Sequence, residues 1–378
     1  MGAERIGIVG GGQLGRMLTE AALPMGYSVT VLDKPTEDGS PSPPRQAGAE
    51  QIYADLYDEE ALATLGVETD VVTWEIEHIN AMALHNLQDI AGIDVEPSPA
   101  TLMILQDKLH QKKMLRSQGI PVPEFYKIGG AQDLQAAIDR FGPLIVKART
   151  GGYDGRGNLE LATADWEHVR SVFPTQNLYA ERKVDLQKEL SVLVAKDKSS
   201  RTLIYPVIET FQENGQCSLA VAPARIGREQ AEEAKEVALE TARLLGGAGV
   251  FAIEMFLTND DDILVNEIAP RVHNSGHLTM EANATSQFEQ HIRAITGLPL
   301  GVVDLISPAA TVNILGRRNG PVDITGREKA LDVPNAHLHV YGKRPTKMDR
   351  KMGHVTVLAA TADKAVELAL KARREISI

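Results

Sequence analysis

The stretch VNEIAPRVHNSGH at residues 265–277 decides the fold, together with FAIEMF at residues 251–256. Both stretches contain closely spaced apolar and β-branched residues, and the polar run NDDD at residues 259–262 separates them. A polar turn between two apolar runs predicts a β-hairpin. If NDDD is the loop, Thr258 pairs with Ile263 where the two strands leave it.

The predicted register places two carboxylates side by side. Glu254 stands opposite Glu267, and the Cβ atoms of such cross-strand neighbours lie about 5 Å apart. Two carboxylates at that distance repel by about 3 kcal/mol at an effective dielectric constant near 20, and the two strands carry no lysine between them. We therefore predict a cation here. Oxygen ligands on a rigid pair of strands suit Mg²⁺, which completes its shell with water and substrate phosphates. The alternative is a solvated hairpin.

The composition is that of a globular chain with more than one domain. The 378 residues exceed one ordinary domain, and the 43% hydrophobic and 24% charged shares are near the usual values. The sequence shows no apolar run of about 18 residues, no signal-peptide pattern and a single cysteine, Cys217. The net charge of −12 disfavours general affinity for nucleic acid or anionic membrane. We therefore expect a cytoplasmic protein with no nucleic-acid and no membrane partner.

Residues 1–105 are predicted to form a Rossmann-like domain, an α/β unit with a doubly wound parallel sheet, because strand and helix patterns alternate there. The predicted strands include RIGIVG, YSVTVLD, DVVTWEIE and DVEPS. The proline-rich segment 35–45, PTEDGSPSPPR, has no hydrophobic periodicity and is predicted to be an exposed, mobile loop.

Three segments with a mixed α+β pattern follow. Residues 106–185 carry the helix DKLHQKKMLRSQG, a glycine-rich loop and the strand NLYAERKV. Residues 186–300 carry the strands KELSVLVAK and RTLIYPVIETF, a long helix at 228–245 and the hairpin. Residues 301–378 carry three strands and a closing helix at 364–373. We predict domain boundaries at these positions.

The first glycine-rich turn follows the first predicted strand. Gly10, Gly12 and Gly15 fit GxGxxG, and Asp33 ends the second strand. In a dinucleotide fingerprint these glycines let backbone amides approach a pyrophosphate at a helix N-terminus. The pattern is equally met by another phosphate-bearing ligand or by a tight structural turn, so three interpretations stay open.

A second glycine-rich loop, TGGYDGRGN at residues 150–158, follows Lys147 in the strand LIVKAR. A Walker loop places its lysine after the glycines and at the start of a helix, which is the reverse of the order here. A lysine before a loop between antiparallel strands suits a lid whose amides close over nucleotide phosphates. The alternative is a plain glycine-rich hairpin.

Taken together, these features resemble the ATP-grasp fold. The residues that carry the resemblance are Lys147, Glu181, Glu189, Glu254, Asn266 and Glu267. The strings GGGQLGRM, KARTGGYDGRGN, NEIAPRVHNSGH and SQFEQHIRAI are similar to the ATP-dependent carboxyaminoimidazole ribonucleotide synthases of purine (IMP) biosynthesis, and WEIEHIN and LQDK resemble the fungal form. The resemblance extends over the whole chain, and it implies an ATP-grasp fold between the Rossmann-like domain and a small C-terminal domain.

The implied activity is that of an ATP-dependent, carbon-nitrogen bond forming ligase. Bicarbonate attacks the γ-phosphate of ATP to give carboxyphosphate. The amine of 5-aminoimidazole ribonucleotide then captures the carboxyl group, or carbon dioxide released from it, as a carbamate. The resemblance also implies a homodimer. Because fungal relatives commonly continue into a mutase domain, it further implies a mutase domain or partner that acts on the product.

The resemblance assigns an ATP site. Its residues are Lys108, Lys147, Gly152, Tyr153, Asp154, Gly155, Glu181, Arg182, Lys183, Val184, Glu189, Asn266 and Glu267. Lys108 and Lys147 contact phosphates, the segment ERKV at 181–184 lines the adenine, and Glu189 meets the ribose. Glu254 and Glu267 are expected to hold two magnesium ions.

The resemblance also assigns the catalytic set. Its residues are Arg271, His273, Asn274, Tyr153 and Arg156. Arg271, with its planar fork, would bind bicarbonate and then carboxyphosphate together with His273 and Asn274. Whether His273 acts as a general base or as a hydrogen-bond donor stays open. His277 is expected to be structural.

The expected ribonucleotide site includes the first glycine turn and a basic segment near the C-terminus. Its residues are Gly11, Gly12, Gln13, Leu14, Glu75, Tyr153, Lys343, Arg350 and Lys351. Glu77 competes with Glu75, since residues two apart on a predicted strand share a face. The basic segment YGKRPTKMDRKMGH departs from the family form YGKxxRPxRKxGH, so Arg350 and Lys351 match that form better than Lys343 or Lys347. A solvated basic loop is the alternative.

Two other functions compete. A formate-using glycinamide ribonucleotide transformylase or a biotin carboxylase would keep the fold, but these families follow the metal strand with PRPHDTG or NPRIQVEH, whereas this chain has APRVHNSGH. A dinucleotide-binding oxidoreductase or a sensor built on residues 1–105 would leave Lys147 and the facing glutamates without a role.

Overall fold

The computed structural model describes residues 4–152, 157–213 and 215–378. These residues form a parallel sheet of four strands, an antiparallel sheet of four strands and a larger antiparallel sheet of nine strands. Within these ranges no helix is both long and apolar enough to cross a membrane. The α/β start followed by α+β layers confirms the predicted fold class.

The N-terminal part contains the parallel sheet. Its elements are β1 (Arg5–Val9), α1 (Gln13–Ala22), a 3-10 turn (Leu23–Met25), β2 (Ser28–Asp33), α2 (Pro43–Ala47), β3 (Glu50–Tyr53), α3 (Glu59–Glu68), β4 (Val71–Trp74), α4 (Ala81–Ala91) and α5 (Pro99–Leu105). The strand order is β3-β2-β1-β4. The apolar strand residues pack against the helices, as alternating strand and helix patterns predict.

Three details of this part differ from the sequence-based prediction. β4 ends at Trp74, so Glu75 and Glu77 lie beyond the strand and do not share a strand face. DVEPS forms only a bridge between Val95 and Val72. The segment 35–45 is exposed at its start, but its end is buried at Ser42 and enters α2, because prolines fit the first turn of a helix, where no amide hydrogen is required.

The middle part forms the small antiparallel sheet. Its elements are α6 (Lys108–Ser117), β5 (Phe125–Ile128), α7 (Ala131–Phe141), β6 (Leu144–Ala148), β7 (Asn158–Leu161), α8 (Trp166–Val172) and β8 (Leu178–Arg182). The strand order is β5-β8-β6-β7. β6 and β7 pair antiparallel with Lys147 opposite Asn158, so the second glycine-rich loop joins a hairpin as predicted. Its tip, residues 153–156, lies outside the described residues, and the roles predicted for Tyr153, Asp154, Gly155 and Arg156 stay predictions.

The remaining chain builds the nine-stranded sheet. Its elements are β9 (Leu186–Lys196), β10 (Thr202–Ile204), β11 (Ile208–Glu213), β12 (Gln216–Ala222), α9 (Arg228–Arg243), β13 (Gly249–Thr258), β14 (Ile263–Ala269), a 3-10 turn (Asn274–Gly276), α10 (Thr279–Ala282), α11 (Gln287–Thr296), β15 (Ala309–Leu315), α12 (Arg327–Leu331), β16 (Ala336–Val340), β17 (Lys351–Leu358) and α13 (Ala362–Glu375). The strand order is β14-β13-β9-β11-β12-β15-β17-β16, with β10 paired to β9.

The nine-stranded sheet changes one expectation and shows how the segments on either side of residue 300 are joined. RTLIYPVIETF, predicted as one strand, is split into β10 and β11 by the segment around Tyr205, whose side chain is buried and whose hydroxyl donates to the Thr285 carbonyl at 3.0 Å. β12 pairs with β15, so one continuous sheet runs across the predicted boundary near residue 300.

The hairpin of β13 and β14 has the predicted pairing of carboxylates but a different turn. Leu257, not Thr258, lies opposite Ile263. The register then shifts between Glu254 and Met255, and the extra residue on β14 restores Glu254 opposite Glu267. The turn register was therefore wrong by one residue, and a β-bulge, which places two residues opposite one, corrects the offset.

β9 is central to the large sheet, and Leu193 on it is fully buried. We expect Leu193→Ala to lower the free energy of unfolding by about 3 kcal/mol, because it removes packed methyl groups and leaves a cavity. Leu331→Ala is the control, since Leu331 is exposed, and its effect should be within about 1 kcal/mol. Urea unfolding followed by circular dichroism measures both, and equal losses in the two variants would contradict the packing described here.

Candidate functional site

The facing carboxylates of the hairpin differ in charge environment. Burial, reinforced by Glu267 and Glu189, raises the pKa of Glu254 to about 7. Burial alone would raise the pKa of Glu267 as well, but Lys108 outweighs it and lowers that pKa. The Lys108 ammonium lies 2.7 Å from Glu267 Oε2. Solvent reaches 28% of the Glu254 side chain, so water in the open cleft moderates its shift.

Lys108 therefore supplies part of the positive charge that the sequence predicts between the two strands. β13 and β14 carry no lysine themselves, but Lys108 reaches Glu267 from the first turn of α6. Asp107 caps that helix by accepting hydrogen bonds from the amides of Leu109 and His110. The cap fixes the point at which the ammonium enters the cleft.

The donor set fits magnesium. Among the described residues Glu254 forms no ion pair with a lysine or arginine, and its contact there is the neutral His273. Asn266, which precedes Glu267, adds an amide oxygen. Among the described residues no group of three or more His, Cys, Asp or Glu side chains is arranged as a metal cage. Two carboxylates with an open remainder suit an ion that keeps its waters and binds substrate phosphates.

Lys147 belongs to a buried network behind the hairpin. Glu181 Oε2 lies 2.5 Å from the Lys147 ammonium, and Glu181 Oε1 lies 3.1 Å from that of Lys112. Burial alone would raise the pKa of Glu181, yet the two lysines outweigh it and lower that pKa to about 2. Lys147 also donates to Asn266 Oδ1 at 3.4 Å. Lys112 was missed by sequence reasoning, although its spacing of four residues from Lys108 places both on one helix face.

In residues 181–184, the segment predicted to line the adenine, the backbone is better placed for that role than the side chains. The Glu181 side chain is committed to the buried lysines, and β8 ends at Arg182. Arg182 pairs with Glu124 at 3.3 Å, and Lys183 pairs with Glu160 at 2.5 Å. The backbone of residues 182–184 leads from β8 toward β9.

Glu189 and Gly152 are two further residues of the predicted nucleotide site. Glu189 lies on β9, opposite Phe256 of β13, and burial raises its pKa. It is close enough to raise the pKa of Glu254 as well. Gly152 is the last described residue before the lid tip.

Arg271 is held by the N-terminal part of the chain. Its Nη2 lies 2.8 Å from Glu77 Oε1, and its Nη1 donates to the Val272 carbonyl at 2.9 Å. Gln106 donates to the carbonyls of Glu77 and Ile79 at 2.7 and 2.9 Å, which fixes the segment that carries Glu77. The structure thus separates the two competing acids, because Glu77 meets Arg271 whereas Glu75 lies elsewhere.

His273 is neutral and directed at Glu254. Burial, with Arg271 and Lys351, holds its pKa well below the usual value. Its Nδ1 lies 2.9 Å from Ser275 Oγ and 3.3 Å from the Ser275 amide nitrogen, and its Nε2 lies 3.5 Å from Glu254 Oε1. A neutral imidazole donates a hydrogen bond from one ring nitrogen and accepts at the other.

Asn274 of the predicted site and His277, which was expected to be structural, are both buried. The Asn274 amide group donates to the Cys217 carbonyl on β12 at 3.3 Å. His277 is completely buried and stacks on His354, with ring centroids 4.8 Å apart.

The first glycine-rich turn is occupied by carboxylates of the protein. Gly11 donates its amide to Asp33 at 2.8 Å, Gly15 donates to Glu75 at 2.6 Å, and Gly12 also donates to Glu75. Gly10 has φ +107°, and a Cβ there would lie 2.6 Å from the Glu75 side chain. Of the three interpretations, the structure supports a turn built around an internal anion.

The substrate contacts expected at this turn stay predictions, and the structure shows what already surrounds these residues. The amides of Gly11 and Gly12 already have partners, and α1 begins at Gln13. Leu14 is buried in the core. Burial raises the pKa of Glu75, and the amides of Gly12 and Gly15 oppose that rise.

The basic segment near the C-terminus approaches the same region. Lys343 lies 5.8 Å from the Tyr341 ring centroid and acts electrostatically on Glu75. Arg350 donates to the carbonyls of Arg344 and Pro345 at 3.3 and 2.9 Å.

Two lysines of the segment have different surroundings. Lys347 pairs with Glu37 at 2.5 Å, which ties it to the loop before α2. Lys351 begins β17 and lowers the pKa of His273. The segment is therefore part of the cleft at Lys343 and Lys351, whereas Lys347 is engaged with the N-terminal loop.

A lysine-lined cleft between a small and a large antiparallel sheet, with facing glutamates on one hairpin, defines an ATP-grasp enzyme. Family profiles agree: an ATP-grasp domain matches residues 113–288, a ribonucleotide synthetase preATP-grasp domain matches 3–106, and a phosphoribosylaminoimidazole carboxylase C-terminal domain matches 309–368.

Individual relatives define the family more closely. The N5-carboxyaminoimidazole ribonucleotide synthase of Staphylococcus epidermidis is 39% identical over 356 residues, which cover 93% of this chain and 92% of the relative. The crystal structure of the corresponding synthetase from Thermotoga maritima has a TM-score of 0.88 at 42% identity and covers 99% of both chains. The Aspergillus clavatus synthase, solved with ADP and 5-aminoimidazole ribonucleotide, has a TM-score of 0.89 at 36% identity and the same coverage. The chain belongs to the N5-carboxyaminoimidazole ribonucleotide synthase family.

Longer relatives also match. The chain spans 65% to 67% of the length of the phosphoribosylaminoimidazole carboxylases of Ogataea methanolica, Schizosaccharomyces pombe and Candida albicans. It therefore corresponds to about two thirds of those proteins.

The raised pKa of Glu254 predicts a pH dependence of stability. Because the folded protein holds this proton more tightly than the unfolded chain, the contribution is complete below the ordinary pKa of 4.5 and is lost as pH rises through about 7. In metal-free buffer, the melting temperature of the wild type should therefore fall relative to that of Glu254→Gln between pH 5 and 8. Differential scanning calorimetry measures it. The exposed Glu236→Gln serves as control and should follow the wild type, while parallel curves for all three proteins would refute the assignment.

Proposed function

We propose that this protein carboxylates 5-aminoimidazole ribonucleotide with bicarbonate and ATP, and that the products are 5-carboxyaminoimidazole ribonucleotide, ADP and phosphate. The bulged hairpin carries the proposal. It sets Glu254 opposite Glu267, and the same strand leads within four residues from Glu267 to Arg271. A phosphate-binding half on the hairpin and a carboxyl-binding half just beyond the end of β14 would thus be joined by one short stretch of chain.

The nucleotide would bind between the two antiparallel sheets. Lys108 and Lys147 would neutralise its phosphates, and the 182–184 backbone and Glu189 would meet adenine and ribose. Gly152 and the lid residues Tyr153, Asp154 and Gly155 would close over the phosphates. Glu254, Glu267 and Asn266 would hold two magnesium ions, which when bound supply charge neutralisation at the phosphates.

Arg271 is positioned to bind the carboxyl group that is activated. Its guanidinium is fixed by Glu77 and would donate to bicarbonate oxygens, with Asn274 nearby in sequence. A bicarbonate oxygen attacks the γ-phosphorus, the bond to ADP breaks, and carboxyphosphate forms. The neutral His273 keeps both roles considered, general base and hydrogen-bond donor, because a neutral imidazole has one donor and one acceptor nitrogen.

The ribonucleotide would lie between the first glycine turn and the basic segment. The aminoimidazole would meet Glu75 and the lid residue Tyr153, and its phosphate would meet Lys343, Arg350 and Lys351. The amine nitrogen attacks the carboxyl carbon, or carbon dioxide released from carboxyphosphate. Phosphate leaves and the amine loses a proton. The proposed catalytic set also includes Arg156 of the glycine-rich loop.

The wider setting is proposed on the same basis. We propose that the enzyme acts in IMP biosynthesis in the cytoplasm, as a homodimer. A mutase domain or partner would move the carboxyl group from nitrogen to carbon in the following reaction.

The function is tested by omitting substrates one at a time. ADP release should require ATP, bicarbonate and 5-aminoimidazole ribonucleotide together, because the amine consumes the activated carboxyl group. A coupled assay for ADP, run with each substrate present or omitted, measures this. ADP release that is independent of the ribonucleotide would refute the proposal, and tight binding of NADH without ATP hydrolysis would favour an oxidoreductase.

The metal site is tested by Glu267→Gln. We expect kcat for magnesium-dependent ADP release to fall on the order of 100-fold, the size that loss of one charge-stabilising group at a reaction centre commonly has. Circular dichroism should show a folded protein, and the exposed Glu236→Gln should keep wild-type turnover. Unchanged kcat in Glu267→Gln would remove Glu267 from the metal site.

A further inference from the structure

Within the described ranges β14 is an edge strand of the nine-stranded sheet, and no strand there pairs with its outer backbone groups. α6 and the segment after it provide partners for them. The Val265 amide donates to the Pro121 carbonyl at 2.8 Å, and the Val265 carbonyl accepts from the Lys112 ammonium at 3.1 Å. The Ile268 amide donates to Gln111 Oε1 at 3.1 Å.

These contacts bracket the bulge. Lys112 holds the residue immediately before Asn266, and Gln111 holds the residue immediately after Glu267. Lys108, one turn earlier on the same helix face, binds the Glu267 carboxylate itself. Two side chains of α6 therefore hold the backbone on either side of Glu267, and a third holds its carboxylate.

Lys112 has a second connection that Gln111 lacks. Its ammonium also binds Glu181, whose other oxygen binds Lys147. Lys112 is almost completely buried, with 1% of its side chain exposed. A buried ammonium is costly unless it is paired and hydrogen-bonded, and here each of its contacts leads to a different part of the nucleotide site.

We propose that Lys112 is a positioning residue that keeps the metal carboxylate Glu267 and the phosphate lysine Lys147 in one fixed arrangement. It acts on Glu267 through the Val265 carbonyl and on Lys147 through Glu181. The inference rests on the proposed nucleotide site, but it concerns a residue that would touch neither ATP nor metal.

The test compares Lys112→Met with Lys113→Met. Methionine keeps most of the length of the side chain but removes the charge and the donors, and Lys113 is the exposed neighbour on the same helix. In Lys112→Met, the Kd for ADP without magnesium should rise about tenfold, and the magnesium concentration for half-maximal ADP release should rise by a similar factor. Lys113→Met should match the wild type in both. Isothermal titration calorimetry and a magnesium titration of turnover provide the measurements.

Gln111→Leu separates the two connections. It removes the partner of the Ile268 amide but leaves Glu181 and Lys147 in place, so it should raise the magnesium requirement without changing ADP binding. If Lys112→Met does not fold, Lys112→Gln, which keeps a hydrogen-bond donor without the charge, carries the test. Wild-type values of the Kd for ADP and of the magnesium requirement in Lys112→Gln would then overturn the proposal.

The outcomes distinguish the inference from the function. If the wild type does not bind ADP, the proposed nucleotide site fails. If the wild type binds ADP and a folded Lys112→Met shows wild-type Kd and magnesium requirement, Lys112 has no positioning role. A lower melting temperature with both quantities unchanged would likewise overturn the proposal and leave Lys112 with a structural role alone.

Discussion

The repulsion between Glu254 and Glu267 is the constraint on which the rest of the site depends. Two carboxylates face each other across a hairpin, and only one of them has a lysine against it. A protein can hold such a pair only if the strands are fixed and the charges around them are arranged in advance. The buried strands β9 and β13 provide the first condition, and α6 provides the second.

The charges behind the hairpin form a compensated set. Lys108, Lys112 and Lys147 lie against Glu267 and Glu181, with the lysines one positive charge in excess. Glu254 adds a carboxyl whose pKa is about 7, so its charge depends on what enters the cleft. The site is therefore nearly neutral when it holds no ligand. Phosphates would add negative charge to it, and magnesium would add positive charge. Such an arrangement is preorganised, because few side chains need to move when charge arrives.

Much of the fold follows from periodicity, and the places where prediction failed have physical causes. The hairpin, the helix α6 and the β6–β7 pair all have strong local patterns, so their type was correct. The turn register was wrong because a bulge at Asn266 leaves no signal in an apolar run. Glu75 and Glu77 were placed on a strand because the apolar pattern continues past Trp74, where the chain in fact leaves the sheet.

In the candidate site, too, features with a local sequence pattern were predicted, whereas contacts between distant segments were not. The facing glutamates and Lys147 were found from local spacing, whereas their partners come from distant segments. Neither the pairing of Arg271 with Glu77 nor the link from Lys112 to Glu181 has a signal in sequence spacing, since each joins residues far apart in the chain. The occupation of the glycine turn by Glu75 was hidden for the same reason, and GxGxxG alone suggested an external phosphate.

The pairing of β12 with β15 has a mechanical consequence. Four residue pairs, Leu219 with Val312 through Ala222 with Ala309, join the C-terminal strands to the sheet that carries the hairpin. Rotation of one against the other would break that ladder, so the basic segment and the facing carboxylates keep a constant separation. The proposed ribonucleotide-binding segment and the two facing glutamates therefore share one platform, and the fold sets their spacing before any ligand binds.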